Sequence, residues 1–295
     1  MSETWEGIFS ALVTPMTDAE EIDEGRLAQM ADHLIREGGV HGLIPLGSTG
    51  EYYALSADER ERVVRTTIDA AAGRVPVVVG ANGGSTREVI AYCRQAEQLG
   101  ASGVMLAAPY YSLPTDDELY EHFRMVAESI GIPIMLYNYP GRTGVDMLPE
   151  LIERLAEFDR IEYVKESSGE ISRMSEIRRR CGERITVFCG CDTGALESFV
   201  LGVRGWVGGV VNCLPREHVK LYELAVLEGN FPAAREHYYR MLPVLSLMEQ
   251  GKYTQLVKAG CGLMDQPVGP PRRPLLPPSV SEMAALRELL KPFSA

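Results

Sequence analysis

The sequence predicts an α/β fold, a closed (β/α)8 TIM barrel followed by a C-terminal helical extension. Three observations carry that reading. Eight short β-branched runs recur between residues 7 and 212, each is followed by a longer amphipathic stretch, and strand signals stop after Asn212. Near-continuous apolar strands imply parallel strands buried on both faces. Eight such units in so short a span favour a closed barrel over an open doubly wound sheet.

The strand candidates are GIFSALVTP (7–15), GLIPLG (42–47), VPVVVGA (75–81), GVMLAAP (103–109), IPIMLYNYP (132–140), IEYVKES (161–167), ITVFCG (185–190) and GWVGGVVN (205–212). Gly, Pro or charged residues bound each of them. Between them, SADERERVVRTTIDAAAG starts with Ser56 as a cap and Glu59 completing a capping box, and STREVIAYCRQAEQLG runs from Ser85 to Gly100. Beyond Asn212, REHVKLYELAVLEGN, PAAREHYYRMLPVLSLMEQG, YTQLVKAGCGLM and SVSEMAALRELLKPF read as helices. The expected division is a catalytic barrel over residues 1–222 and a helical extension over 223–295. PVGPPRRPLLPP (267–278) reads as a rigid proline-rich connector before the last helix.

Composition narrows the functional classes. With 45% hydrophobic and 24% charged residues in 295, the chain can bury a large core. A net charge of −12, with no basic stripe, disfavours nucleic acid as a partner. MSETWEGIFS lacks the basic segment and apolar run of a secretory signal, so a cytoplasmic protein with no membrane partner is expected. The six cysteines are dispersed, without a C-x-x-C pair or histidines at ligand spacing, and read as reduced, buried thiols. No metal site is expected.

A barrel of this kind carries its chemistry at the C-terminal ends of its strands. GSTGE (47–51) sets the hydroxyls of Ser48 and Thr49 between glycines, where backbone N–H groups could receive a carboxylate or phosphate. The same stretch serves as a ligand-free strand-to-helix turn, and it lacks the GK[ST] ending of a nucleotide loop. YNYPGRTG places the phenol of Tyr137 at a strand end and the planar fork of Arg142 in the next turn. Lys165 is the most informative residue. Inside an apolar strand its ammonium is desolvated, which lowers its pKa and frees a nucleophilic amine for attack on a ketone carbonyl. The alternative is pairing with a buried carboxylate, for which the neighbouring Glu166 points to the wrong face of the strand.

GSTGE, PYY, YNYPGRTG, VKESSG, GCD and GPPRRPLLP, in that order over essentially the whole chain, resemble the dihydrodipicolinate synthase / N-acetylneuraminate lyase family of class I aldolases. The resemblance implies a (β/α)8 barrel, no metal or organic cofactor, and a homotetramer built as a dimer of dimers. It implies that Lys165 forms an imine with pyruvate or a related 2-oxo acid and that Tyr137 carries protons beside it. Thr49 is then expected to link Tyr137 to Tyr111, which reaches in from a neighbouring subunit. Ser48 and Thr49 are expected to hold the pyruvate carboxylate, backbone at Gly190 and Val207 to line the pocket, and Arg142 to hold the carboxylate of an aldehyde substrate. Among family reactions, condensation of pyruvate with aspartate 4-semialdehyde, the 4-hydroxy-tetrahydrodipicolinate synthase reaction, is the leading expectation. Ser48, Tyr52, Tyr53 and Gly84 depart from lysine-inhibited synthases, so no lysine feedback site is expected. Those departures also fit a catabolic 2-keto-3-deoxy sugar-acid aldolase or dehydratase, or a hydroxy-pyrroline-carboxylate deaminase. From other classes stand a non-catalytic 2-oxo acid sensor, which has no use for a proton relay, and a metal-dependent aldolase.

Overall fold

The computed structural model describes residues 4–294. Eight parallel strands, β1 (Gly7–Ala11), β2 (Gly42–Ile44), β3 (Val78–Gly80), β4 (Gly103–Ala107), β5 (Ile134–Asn138), β6 (Ile161–Glu166), β7 (Thr186–Cys189) and β8 (Gly205–Gly208), pair in ring order. A parallel bridge between Leu43 and Val77 joins β2 to β3 and closes the barrel. The strands are shorter than their apolar runs. Residues past each strand end, such as Val210–Asn212, turn into single-turn helices or loops at the barrel mouth.

Helices α1 (Glu24–Arg36), α2 (Ala57–Ala71), α3 (Thr86–Gln98), α4 (Asp116–Ala127), the single turn α5 (Pro140–Thr143), α6 (Pro149–Leu155), α7 (Ile171–Cys181), α8 (Ala195–Val200) and α9 (Pro215–Tyr222) occupy the connections. Ser56 caps α2 with Glu59 returning the bond, and Ser85 caps α3.

Strand alternation divides the core in two. Phe9, Met135, Tyr137, Tyr163, Phe188 and Val207 fill the barrel, while Ile8, Val104, Leu136 and Val164 face the helices. Large side chains inside need small neighbours: a Cβ at Gly42 would fall 2.2 Å from the Phe9 ring, and one at Gly205 2.2 Å from that of Phe188. Trp5 closes the lower end, its ring stacked on Tyr163 at 4.3 Å. The barrel is therefore a packed plug below and open above.

Helices α10 (Phe231–Gln250), α11 (Tyr253–Leu263) and α12 (Val280–Leu290) follow a π-turn at Glu223–Leu227. Met241, Leu245, Leu256 and Leu286 belong to the same apolar cluster as the outer faces of the strands. The proline-rich connector is fastened down by Arg272. Its guanidinium donates to both oxygens of Glu59, at 2.7 and 2.9 Å, and to the carbonyl of Ala54. That contact holds the Glu59 carboxyl down at about 2.

Candidate active site

At the upper end of β6, alternation turns Tyr163 and Lys165 inward and Val164 and Glu166 outward. Glu166 accepts the N–H of Ser168 at 2.6 Å and the Asn138 side-chain amide at 3.0 Å. It is thus engaged away from the lysine. Lys165 is 6% exposed, and its Nζ lies 4.2 Å from the centre of the Tyr137 ring. Burial lowers its pKa to about 8, against the opposing pull of Asp192. At pH 7.5 about a quarter of such lysines are neutral, against about one in a thousand for an ordinary lysine.

A cleft opens above the amine, lined by Ser48, Thr49, Tyr137, Arg142, Lys165 and Gly190 among others. Gly190 and Val207 stand in its wall. A Cβ on Gly190 would sit 1.7 Å from Oγ of Ser167 and 2.8 Å from Cε of Lys165. The lysine therefore occupies space that only glycine at 190 leaves free.

The buried Tyr137 phenol is raised above its ordinary pKa, first by desolvation, and Ser48 lines the cleft with it. The Thr49 hydroxyl approaches Gly209, where a Cβ would meet it at 2.9 Å. Leu46 and Glu51, either side of the turn, adopt left-handed φ of 59° and 57°. Arg142 lies exposed on α5 at the rim, its N–H bonded to the Tyr139 carbonyl at 2.9 Å. Tyr111 is not in the cleft of its own chain. It is 96% exposed with φ of 73° and projects from the β4–α4 loop. A second, tyrosine-rich chamber lined by Tyr52, Tyr53, Tyr110 and Tyr139 adjoins the cleft across Ser48, Tyr137 and Arg142.

Three lining residues, Ser167, Glu249 and Tyr253, and Asp192 behind them were not singled out by their local sequence. Asp192 is buried beside the lysine, accepting from Trp206 Nε1 at 3.0 Å and from the Tyr253 hydroxyl. Burial, then the charge of Glu249, pushes its carboxyl up to about 7. Tyr253 receives the Gly209 N–H at 2.9 Å, and Glu249 receives the N–H groups of Asp192 and Thr193, both at 3.1 Å. Ser167 is buried with a hydroxyl that has no partner, facing the cleft. The GCD motif contains Asp192, but Glu249 and Tyr253 come from helices with nothing in their pattern to mark them.

The arrangement is a nucleophilic amine at the floor of a cleft, with phenol and hydroxyl beside it and a guanidinium at the rim. Among the described residues, no three His, Cys, Asp or Glu side chains gather to hold a metal ion, and no helix is long and apolar enough to cross a membrane.

Comparison with known proteins points the same way. Residues 4–292 match the model of the dihydrodipicolinate synthetase family. The 4-hydroxy-tetrahydrodipicolinate synthase of Pelobacter propionicus is 39% identical over 289 residues, covering 98% of this chain and 99% of that one. The crystal structure of dihydrodipicolinate synthase from Aquifex aeolicus superposes with a TM-score of 0.94 at 34% identity, covering 98% of each chain. The chloride-inhibited dihydrodipicolinate synthase of Acinetobacter baumannii, complexed with pyruvate, gives 0.94 at 30% identity over 98% of each chain. With its barrel, its inward lysine and these full-length matches, the chain belongs to the dihydrodipicolinate synthetase family.

Proposed function

We propose that the protein is a 4-hydroxy-tetrahydrodipicolinate synthase, a lyase of the class I aldolase type that condenses pyruvate with aspartate 4-semialdehyde through an imine on Lys165. The observation that carries this is the buried Lys165 amine, lowered to about 8 beneath a cleft lined by Ser48, Thr49 and Tyr137. The 39% identity to a synthase of that name over nearly the whole chain supports the choice of substrates.

In this reading the neutral amine attacks the pyruvate keto carbon, and the carbinolamine loses water to give an iminium. The iminium withdraws electrons from the adjacent methyl group, which gives up a proton and becomes an enamine nucleophile. Tyr137, whose ring centre lies 4.2 Å from the amine, handles these protons. The hydroxyl turn at Ser48 and Thr49 holds the pyruvate carboxylate, with Gly190 and Val207 as walls, and Arg142 holds the carboxylate of the incoming aldehyde. Orientation of this kind lowers a barrier by several kcal/mol. The enamine carbon attacks the aldehyde carbonyl, forming the C–C bond and restoring the iminium while the aldehyde oxygen takes up a proton, and the amine of the aldehyde substrate then displaces Lys165 from the imine as the product ring closes.

The reading includes a homotetramer built from dimers, working in the cytoplasm, with residues 1–222 as catalytic barrel and 223–295 as extension. Tyr111 completes the relay of a neighbouring copy. Its exposure and left-handed backbone, and a chamber beside Ser48 and Tyr137, support that role.

Borohydride added with pyruvate is expected to fix an adduct on Lys165, located by mass spectrometry, and Lys165→Ala to fold without activity. No adduct with pyruvate or a panel of 2-oxo acids would sink the proposal. A coupled assay with aspartate semialdehyde, run beside cleavage of 2-keto-3-deoxy acids and deamination of a hydroxy-pyrroline carboxylate, tests the second substrate.

A further inference from the structure

The turn carrying Ser48 and Thr49 ends on Glu51, and Glu51 is held by the far end of the chain. Its side chain is 0% exposed; Oε1 accepts from Nζ of Lys258 at 2.7 Å, and Oε2 from the N–H of Arg272 at 2.8 Å. Lys258, itself 1% exposed, also donates to the Pro270 carbonyl at 2.8 Å. It lies on α11, the helix whose first turn brings Tyr253 and Thr254 to the cleft. One buried ion pair therefore joins two walls of the site.

The turn needs holding. Leu46 and Glu51 both adopt left-handed backbone, which residues bearing side chains keep only where their surroundings over-determine it. The surroundings here are the two bonds to Glu51 and one from the Thr14 hydroxyl to the Gly50 carbonyl at 2.7 Å. A buried ion pair is also a poor source of stability, because both charges must be dehydrated and apolar residues of similar size serve as well. Its placement beside the hydroxyl turn gives it another use.

We propose that Glu51 and Lys258 are a positioning pair, through which the C-terminal helices fix the Gly47–Glu51 backbone so that Ser48 and Thr49 both face the cleft. Neither residue touches substrate. The inference rests on Lys165 as the imine-forming residue and on the turn as the seat of the pyruvate carboxylate.

Glu51→Gln combined with Lys258→Met removes both charges at similar side-chain length, avoiding the unpaired buried charge that either single change leaves. The purified double variant is compared with wild type by melting temperature, borohydride trapping of pyruvate, and KM and kcat. It is expected to fold, to need about tenfold more pyruvate for half-maximal rate and trapping, and to hold its KM for aspartate semialdehyde within about threefold. A folded double variant with wild-type pyruvate KM and trapping overturns the proposal. If the double variant does not fold, Glu51→Asp, which retracts the carboxylate by one methylene, is expected to raise the pyruvate KM, and an unchanged KM overturns it equally. Leu286→Ala, in the core of α12, supplies the comparison for lost stability alone; a matching rise in its pyruvate KM also refutes a positioning role. Failure of the wild type to trap pyruvate would instead strike the assignment of Lys165.

Discussion

At Lys165 the strand sets direction and burial sets reactivity. Only the neutral amine attacks a carbonyl, so protonation below about pH 8 withdraws the nucleophile. The initial rate of trapping at fixed, subsaturating pyruvate is expected to rise with pH between 6 and 8 and to level off above about 8. A break near the ordinary lysine value would contradict desolvation as the cause. Because the Asp192 charge raises the lysine pKa, Asp192→Asn is expected to move the break to lower pH, read from the same trapping profile. Much of this was legible in IEYVKESS, where alternation alone sends residue 165 inward and 166 outward. The backbone of the hydroxyl turn was not: Leu46 and Glu51 adopt left-handed φ, which residue types that normally avoid it do not advertise.

At the scale of elements, the tops of β6 and β7 fit together only because Gly190 has no side chain. Gly190→Ala drives a methyl group into Ser167 and the Lys165 stem, and is expected to lower kcat/KM at least about a hundredfold while circular dichroism stays that of a folded barrel. Adding Ser167→Gly removes the nearer clash and is expected to restore part of the loss; no recovery would place the damage elsewhere. All eight strands and the capping box at Ser56 and Glu59 could be read from apolar runs and local hydrogen-bonding chemistry. Strand ends could not. Apolar residues such as Val210 and Val211 are buried in a helical turn after β8, and burial looks the same in sequence whether the backbone is extended or turned. Glu249 and Tyr253 were illegible for a different reason: only the folding of α10 and α11 over β7 and β8 carries them to the cleft.

For the whole molecule, assembly decides whether a relay through Tyr111 is complete. Tyr111→Phe is expected to assemble normally by sedimentation yet lose about tenfold in kcat. Chains carrying Tyr111→Phe, mixed and reassembled with Lys165→Ala chains, are expected to exceed the summed activity of the two, because a mixed pair contains one intact lysine served by one intact tyrosine. Activity equal to the sum would mean that Tyr111 serves its own chain or none. Which surfaces meet is not written in apolar periodicity, since Tyr111 and Leu113 are as exposed as any loop residue in a single copy. The chain's two tryptophans offer a way to watch the reaction without a second substrate. Trp5 lies against Tyr163, two residues before Lys165, and Trp206 donates to Asp192, whose charge the lysine feels. Attachment of pyruvate brings its carboxylate and a planar, delocalised iminium to Lys165 and so changes the electric field at the Trp206 indole. Its emission then becomes a built-in optical gauge of how much enzyme carries pyruvate.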